Sequence, residues 1–359
     1  MKSAEREAAL LKEINRRVGE LCRNRDEVML MEVCGTHTMA ISRSGIRRAV
    51  DPRLKLVSGP GCPVCVTDER DIDRAIGFTR FKNVVVITFG DMMLVPGTDG
   101  SLAEAKARGA EVRVVYSPLD GLRMAVREPE REFVFLGVGF ETTAPTVAAT
   151  VLEAAKIGVK NFSVLPLFKL IPPALAFIAS SPRIKIDGLI LPGHVSTVIG
   201  AEPYRFLIER YRIPCCITGF EPRDLLEGIL WLLKQIMEGP ELAIQYRRSV
   251  RPGGNPKAQA LLRAVFKRVD ANWRGLGKIA GSGLGFKSGF VRYDASSRFE
   301  LAETQAKKRT ACQCGEMMLG IKTPPECRLF GQVCTPQSPV GPCMVSSEGV
   351  CAAYYRYER

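Results

Sequence analysis

Twelve cysteines in 359 residues mark the places where this chain could do chemistry. The first motif is Cys34-Gly35-Thr36-His37-Thr38, which follows the apolar run 28–33. Cys34 and His37 are three apart, so a helix opening here would carry both on one face. A thiol at a helix N-terminus beside an imidazole is expected to ionise below its ordinary pKa and serve as a nucleophile or metal ligand. The plainer reading makes Cys34 a small buried hydrophobe and His37 a satisfied cap. The glycine-opened turn, and the fact that His37 is one of only 2 histidines, favour a functional role.

The second motif is Gly59-Pro60-Gly61-Cys62-Pro63-Val64-Cys65. Its Cys-x-x-Cys spacing permits a reversible disulfide, one thiol attacking and the other resolving. Half of a zinc knuckle is the competitor, but no second Cys-x-x-Cys completes it. The tail holds the third group, Cys312-x14-Cys327-x6-Cys334-x16-Cys351, with Cys314 and Cys343 as further thiols. Four thiolates can complete a tetrahedral zinc site or a [4Fe–4S] cluster. Zinc ribbons use two tight knuckles; the long gaps here favour a cluster wrapped by loops, with zinc the alternative. Cys22, Cys215 and Cys216 read as packing residues.

The elements that must position these groups begin with an amphipathic helix over residues 3–21, whose Leu10, Leu11, Ile14, Val18 and Leu21 recur at helical spacing. Short aliphatic strands then alternate with helical stretches: 28–33, 54–58, 84–89 and 112–116, then 132–138, 162–167, 188–193 and 215–219. Near-continuous apolar strands separated by helices predict parallel sheets covered on both faces. The two sets resemble one another weakly, as an internal duplication would. The expected fold is therefore α/β: two similar open parallel-sheet domains around a cleft, plus a C-terminal domain. The boundaries predicted are 24–118 and 119–237, with 1–23 and 238–359 forming a helical and loop-rich third part. Ligands of open parallel sheets bind beyond the carboxyl ends of the strands. The two cysteine motifs, Gly139-Phe140-Glu141-Thr142-Thr143 and Pro192-Gly193-His194-Val195-Ser196-Thr197 all lie at such ends. The tail from Thr310 onward is dense in Cys, Pro and Gly, and a metal staple suits it better than apolar burial.

Composition narrows the function classes. No run of roughly 18 apolar residues is present, so a membrane span is not expected. The charged start has no signal-peptide apolar region, which predicts a cytoplasmic protein. In that reducing compartment, cysteines point to metal or redox chemistry rather than to structural disulfides. The net charge of +13 is dispersed, with local runs at Arg47–Arg48 and Lys307–Lys308–Arg309, and does not form the aromatic-interleaved stripe of a nucleic-acid binder. The glycines at 137–139 lack the lysine of a phosphate loop, and those at 281–285 lack a βαβ setting, so a nucleotide cofactor is not expected.

The run PPECRLFGQVCTPQSPVGPCMVSSEGVCAAYYRY, residues 324–357, resembles the C-terminal signature of the HypD family. The Cys34 and Cys62 motifs, GFETT (139–143) and PGHVST (192–197) are similar to that family's hallmarks, so the resemblance covers nearly the whole chain. It implies a factor for nickel–iron hydrogenase maturation that assembles an iron–cyanide–carbonyl group, Fe(CN)2CO. It also implies [4Fe–4S] ligation by Cys312, Cys327, Cys334 and Cys351, with Cys314 or Cys343 open as a replacement for one of them, Cys314 for Cys312 first. Cys34 would bind the iron, shared with a HypC-like small chaperone, while HypE donates cyanide and a hydrogenase large subunit receives the product. His37 would be an acid/base or orienting group, and Cys62 and Cys65 would cycle between dithiol and disulfide. Glu141, Thr142, Thr143 and His194 could hydrogen-bond the iron's ligands, and Glu348 could donate a proton or cap a helix. The rivals are a free-standing cluster-dependent thiol–disulfide oxidoreductase and a zinc-stapled binding protein.

Overall fold

The first helix forms where the apolar period places it, over Ser3–Leu21. Ile14 and Val18 are fully buried and pack with Leu225, Ile229 and Leu232 of the helix Pro222–Glu238. The computed structural model describes residues 3–98, 100–301 and 311–359; the basic run Lys307–Lys308–Arg309 lies outside them. Among the described residues no helix is long and apolar enough to cross a membrane.

Nine strands build two parallel sheets: β1 (Val28–Glu32), β2 (Leu54–Ser58), β3 (Val84–Thr88), β4 (Val112–Val114), β5 (Glu132–Gly137), β6 (Phe162–Pro166), β7 (Gly188–Pro192), β8 (Cys215–Thr218) and β9 (Leu242–Ile244). The orders are β2-β1-β7-β8-β9 and β4-β3-β5-β6. β3 and β7 are buried at every position, as strands covered on both faces must be.

Two α/β lobes are therefore present, but their strands do not sort by the expected boundary at residues 118 and 119. The chain leaves the first sheet after β2, builds the whole second sheet, and returns at β7. Pairing of Leu30 with Gly188 through Glu32 with Ile190 secures that return. Each sheet thus takes strands from both sequence sets, and the two sets are not two copies of one folded unit. The physical reason is that strands apolar on both faces carry no mark of which neighbour they will pair with.

The remaining expected part, 1–23 with 238–359, also divides differently. The first helix belongs to the first lobe, and β9 extends that lobe's sheet beyond β8. The glycine-rich stretch read as loop forms an antiparallel hairpin, β10 (Phe266–Trp273) and β11 (Gly277–Phe286). Phe266, Leu284 and Phe286 carry it into the core of the second lobe. The tail is short helices and turns, with Val350–Tyr357 packed on the helix Gly35–Ser44. Cys314, Met317, Cys343 and Tyr354 share one continuous core with β1, β2 and β7.

Register decides what meets in the cleft. Glu32 pairs with Ser58 on one side and Ile190 on the other, and Pro192 pairs with Thr218. The loops after β1, β2, β7 and β8 consequently leave the first sheet at one end.

Candidate functional site

Cys34 leaves β1 in extended conformation and caps the helix Gly35–Ser44. The loop after β2 presses against it: the Gly35 N–H donates to the Gly61 carbonyl at 2.8 Å. A Cβ on Gly61 would lie 2.2 Å from the Cys34 nitrogen, so only glycine permits this approach. Behind Cys34 sits Glu32, almost completely buried, which accepts the Cys34 N–H at 3.0 Å and the Thr38 hydroxyl. Burial pushes the Glu32 carboxyl up to about 7.

Burial likewise pushes the Cys34 thiol up to about 12, against the opposing pull of the His37 and Thr36 backbone N–H groups. This corrects the expectation of a lowered pKa: desolvation outweighs the short helix's N-terminal field. The resting thiol is protonated, and a metal binding there must displace the proton.

His37 is also placed differently from its expectation. Its ring is fully buried, with Nε2 3.0 Å from the Gly219 carbonyl and 3.1 Å from the Thr218 hydroxyl. Burial drops its pKa to about 4, so the ring is neutral, with the proton on Nε2 facing the carbonyl. Nδ1 is buried without a partner among the described residues. The ring ties the Cys34 helix to the end of β8 instead of facing the cleft. The cleft's histidine is His194, stacked on Phe220 at 4.0 Å, while His37 contacts the same ring at 4.7 Å.

Cys62 caps the four-residue helix Pro63–Val66, and its Sγ accepts the Cys65 N–H at 3.3 Å. Both thiols are free and buried. Burial, then side-chain contacts with Cys343 and Cys62, raises the Cys65 thiol well above its ordinary value. Cys65 therefore lies between its motif partner and a tail thiol.

Cys343 in turn lines a pocket with Cys312, Cys314, Cys327, Cys334 and Cys351, closed by Met317, Leu329, Phe330 and Met344. Burial raises the Cys351 thiol, and Cys343, Cys312, Cys334 and Cys327 add to the effect. Among the described residues no three His, Cys, Asp or Glu side chains close on a single ion position. The six cysteines line one small pocket instead.

The cleft is a cavity of about 410 Å³ lined by Cys34, Thr36, Gly61, Phe140, Thr142, Thr143, His194 and Glu348 among others. Four separate motifs and the tail thus meet at one place. Glu348 reaches it because Gly35 has no side chain; a Cβ there would lie 2.6 Å from the Glu348 Cβ. The Thr36 hydroxyl donates to Glu348 Oε1 at 2.7 Å. Glu141 does not line the cavity. Its Oε1 accepts the Ile171 N–H at 3.0 Å, its Oε2 is buried without a partner among the described residues, and burial raises it to about 7.

The family model described as "HypD: Hydrogenase formation hypA family" matches residues 8–358. The chain belongs to the HypD family. It is 44% identical over 363 residues to a hydrogenase maturation factor HypD of Rhizobium leguminosarum bv. viciae, covering 99% of this chain and 94% of that protein. A HypD of Cupriavidus necator is 45% identical over 338 residues, with 92% and 89% covered. A HypD of Azotobacter vinelandii is 42% identical over 362 residues, with 99% and 96% covered. A role in hydrogenase maturation follows. Within this HypD chain, sequence reasoning passed over Glu32 and Phe220. Only Glu32 left a signal, as the single charge inside the apolar run VMLMEV.

Proposed function

We propose that this chain is the scaffold on which an iron atom acquires cyanide and carbon monoxide for a nickel–iron hydrogenase. Cys34 holds the cargo iron, Cys62 and Cys65 store two electrons, and Cys312, Cys327, Cys334 and Cys351 hold a [4Fe–4S] cluster. One observation carries this reading: cysteines of both cleft motifs and of the tail gather between the cavity and the tail pocket. Cys34 opens into the cavity, Cys62 follows Gly61 in the loop pressed against it, and Cys65 touches Cys343, which lines the six-cysteine pocket.

The tail's donor set fits an iron–sulfur group, being all sulfur within hydrocarbon walls, with donors lining one small pocket. When bound, the cluster supplies electrons one at a time. The chain's own residues do the rest. Cys34, a soft donor at an open cavity, gives up its proton as it takes the iron. Thr142, Thr143 and His194 line the space where the iron's diatomic ligands would lie, and Glu348 is held beside them by Thr36. Oxidation of Cys62 and Cys65 to a disulfide releases two electrons and two protons. That balances the conversion of a protein thiocyanate to a thiol and hydrogen cyanide. The partners in this reading are a HypC-like chaperone sharing the iron with Cys34, HypE as cyanide donor and, indirectly, the hydrogenase large subunit. The setting is the cytoplasm.

Infrared spectroscopy of the chain co-purified with its small chaperone tests the proposal. Bound cyanide and carbonyl stretches are expected in the wild type and absent from Cys34→Ala protein, with the brown cluster absorbance kept in both. Undiminished stretches in Cys34→Ala protein would end the scaffold reading. Turnover of general disulfides without the chaperone would favour a free-standing oxidoreductase.

A further inference from the structure

Arg274, at the turn between β10 and β11, is a cation only 5% exposed. Arginine is seldom buried so fully unless its charge and donors are satisfied. Its Nε donates to the Thr67 carbonyl and Nη2 to the Pro96 carbonyl, both at 2.9 Å. Its backbone N–H donates to the Val66 carbonyl, also at 2.9 Å. Val66 and Thr67 end the Cys62 helix, so the guanidinium sits against the carbonyl end of the helix that carries the dithiol. Its ion-pair partner is Glu69, 3.6 Å away on a side chain 37% exposed, where water weakens the compensation.

The same turn also touches the tail. A Cβ on Gly315 would lie 2.7 Å from the Gly275 carbonyl, so backbone rests on backbone between the turn and the helix Cys314–Met318. Cys314 opens that helix and lines the six-cysteine pocket. One buried positive charge is thereby fixed between the dithiol helix and the wall of the six-cysteine pocket.

We propose that Arg274 is a positioning residue that raises the reduction potential of the tail cluster by fixing a buried positive charge beside the helix Cys314–Met318. The inference rests on the cluster reading given under Proposed function. Reduction adds one electron to the site and breaks no bond, so a neighbouring cation favours the reduced form. Burial keeps that preference insensitive to salt. Carbonyl bonds to both Thr67 and Pro96 prevent the guanidinium from swinging away.

The test is a redox titration of full-length, cluster-containing protein followed by electron paramagnetic resonance. Arg274→Gln keeps donors for the carbonyls but removes the charge, and its midpoint is expected clearly below the wild type. Arg274→Lys keeps the charge and should stay near the wild-type midpoint. An unchanged midpoint in Arg274→Gln protein overturns the proposal. If that variant does not retain the cluster, Glu69→Gln decides: removing the carboxylate that partly offsets the guanidinium is expected to raise the midpoint. An unchanged midpoint overturns the proposal. Wild-type protein without a cluster defeats the cluster reading itself, before any variant is made.

Discussion

Replacing Gly61 by alanine should damage the site at its tightest joint. The added Cβ would stand 2.2 Å from the Cys34 nitrogen, 2.5 Å from its Cα and 2.6 Å from the Val33 carbonyl carbon. All three are backbone atoms, so no side chain can rotate aside. Ordinary contact begins near 3.4 Å, so the two loops must part by roughly 1.2 Å. That opening stretches the 2.8 Å bond from the Gly35 N–H to the Gly61 carbonyl beyond useful length. Overpacking costs about 1–3 kcal/mol, and the lost hydrogen bond about 0.5–1.5 kcal/mol. Together they predict a loss of about 1.5–4.5 kcal/mol, read as a lower denaturation midpoint in urea. Gly253→Ala is the control, because a Cβ there meets nothing within 4 Å; its effect should stay within about 0.5 kcal/mol. If Gly61→Ala protein unfolds at the wild-type midpoint, the contact is not the constraint described.

Glu141 ionises near pH 4.5 when unfolded and near 7 when folded, so its share of stability is full below 4.5 and lost as pH rises through 7. Glu141→Gln protein should therefore gain on the wild type by up to about 3 kcal/mol between pH 5 and 8; a pH-independent difference in urea midpoints refutes this. His37 runs the other way: its share is full above 6.5 and lost as pH falls through about 4. Wild-type protein should lose up to about 3 kcal/mol on acidification that His37→Gln protein keeps, and parallel acid-unfolding curves for the two would contradict it. In Cys343→Ser protein the Cys62–Cys65 disulfide should stay oxidised when the tail is reduced. Thiol labelling that finds both cysteines free would remove Cys343 from the relay.

The strands were legible because each is a compact aliphatic run, and the cleft because ligand sites lie beyond the carboxyl ends of parallel strands. Strand order was not. β1 and β3 are similarly apolar, so nothing in their residues tells which joins β2 and which joins β5. The first helix's apolar stripe announces a buried face but not that the helix Pro222–Glu238 covers it. At Cys34 the helix terminus was read correctly and the thiol's pKa was not, because desolvation depends on what the rest of the chain brings near. His37 shows the same limit: three-residue spacing fixes a face of a helix, while Gly219 and Phe220, some 180 residues away, fix where the ring goes. Cys343 was visible as a spare thiol, but its place beside Cys65 depends on the tail's path across the core.

The detour of the chain through a second sheet has a cost during synthesis. β1 cannot gain its inner neighbour until β7 is made, and 155 residues separate Glu32 from Gly188. At ribosomal speeds of about 5–20 residues per second, the nascent first sheet shows water a raw hydrophobic flank for roughly 8–30 s. Chains halted short of β7 should accordingly clump or recruit chaperones, while chains carried past β8 should not. A hydrogenase maturation factor would itself depend on being sheltered while it is made.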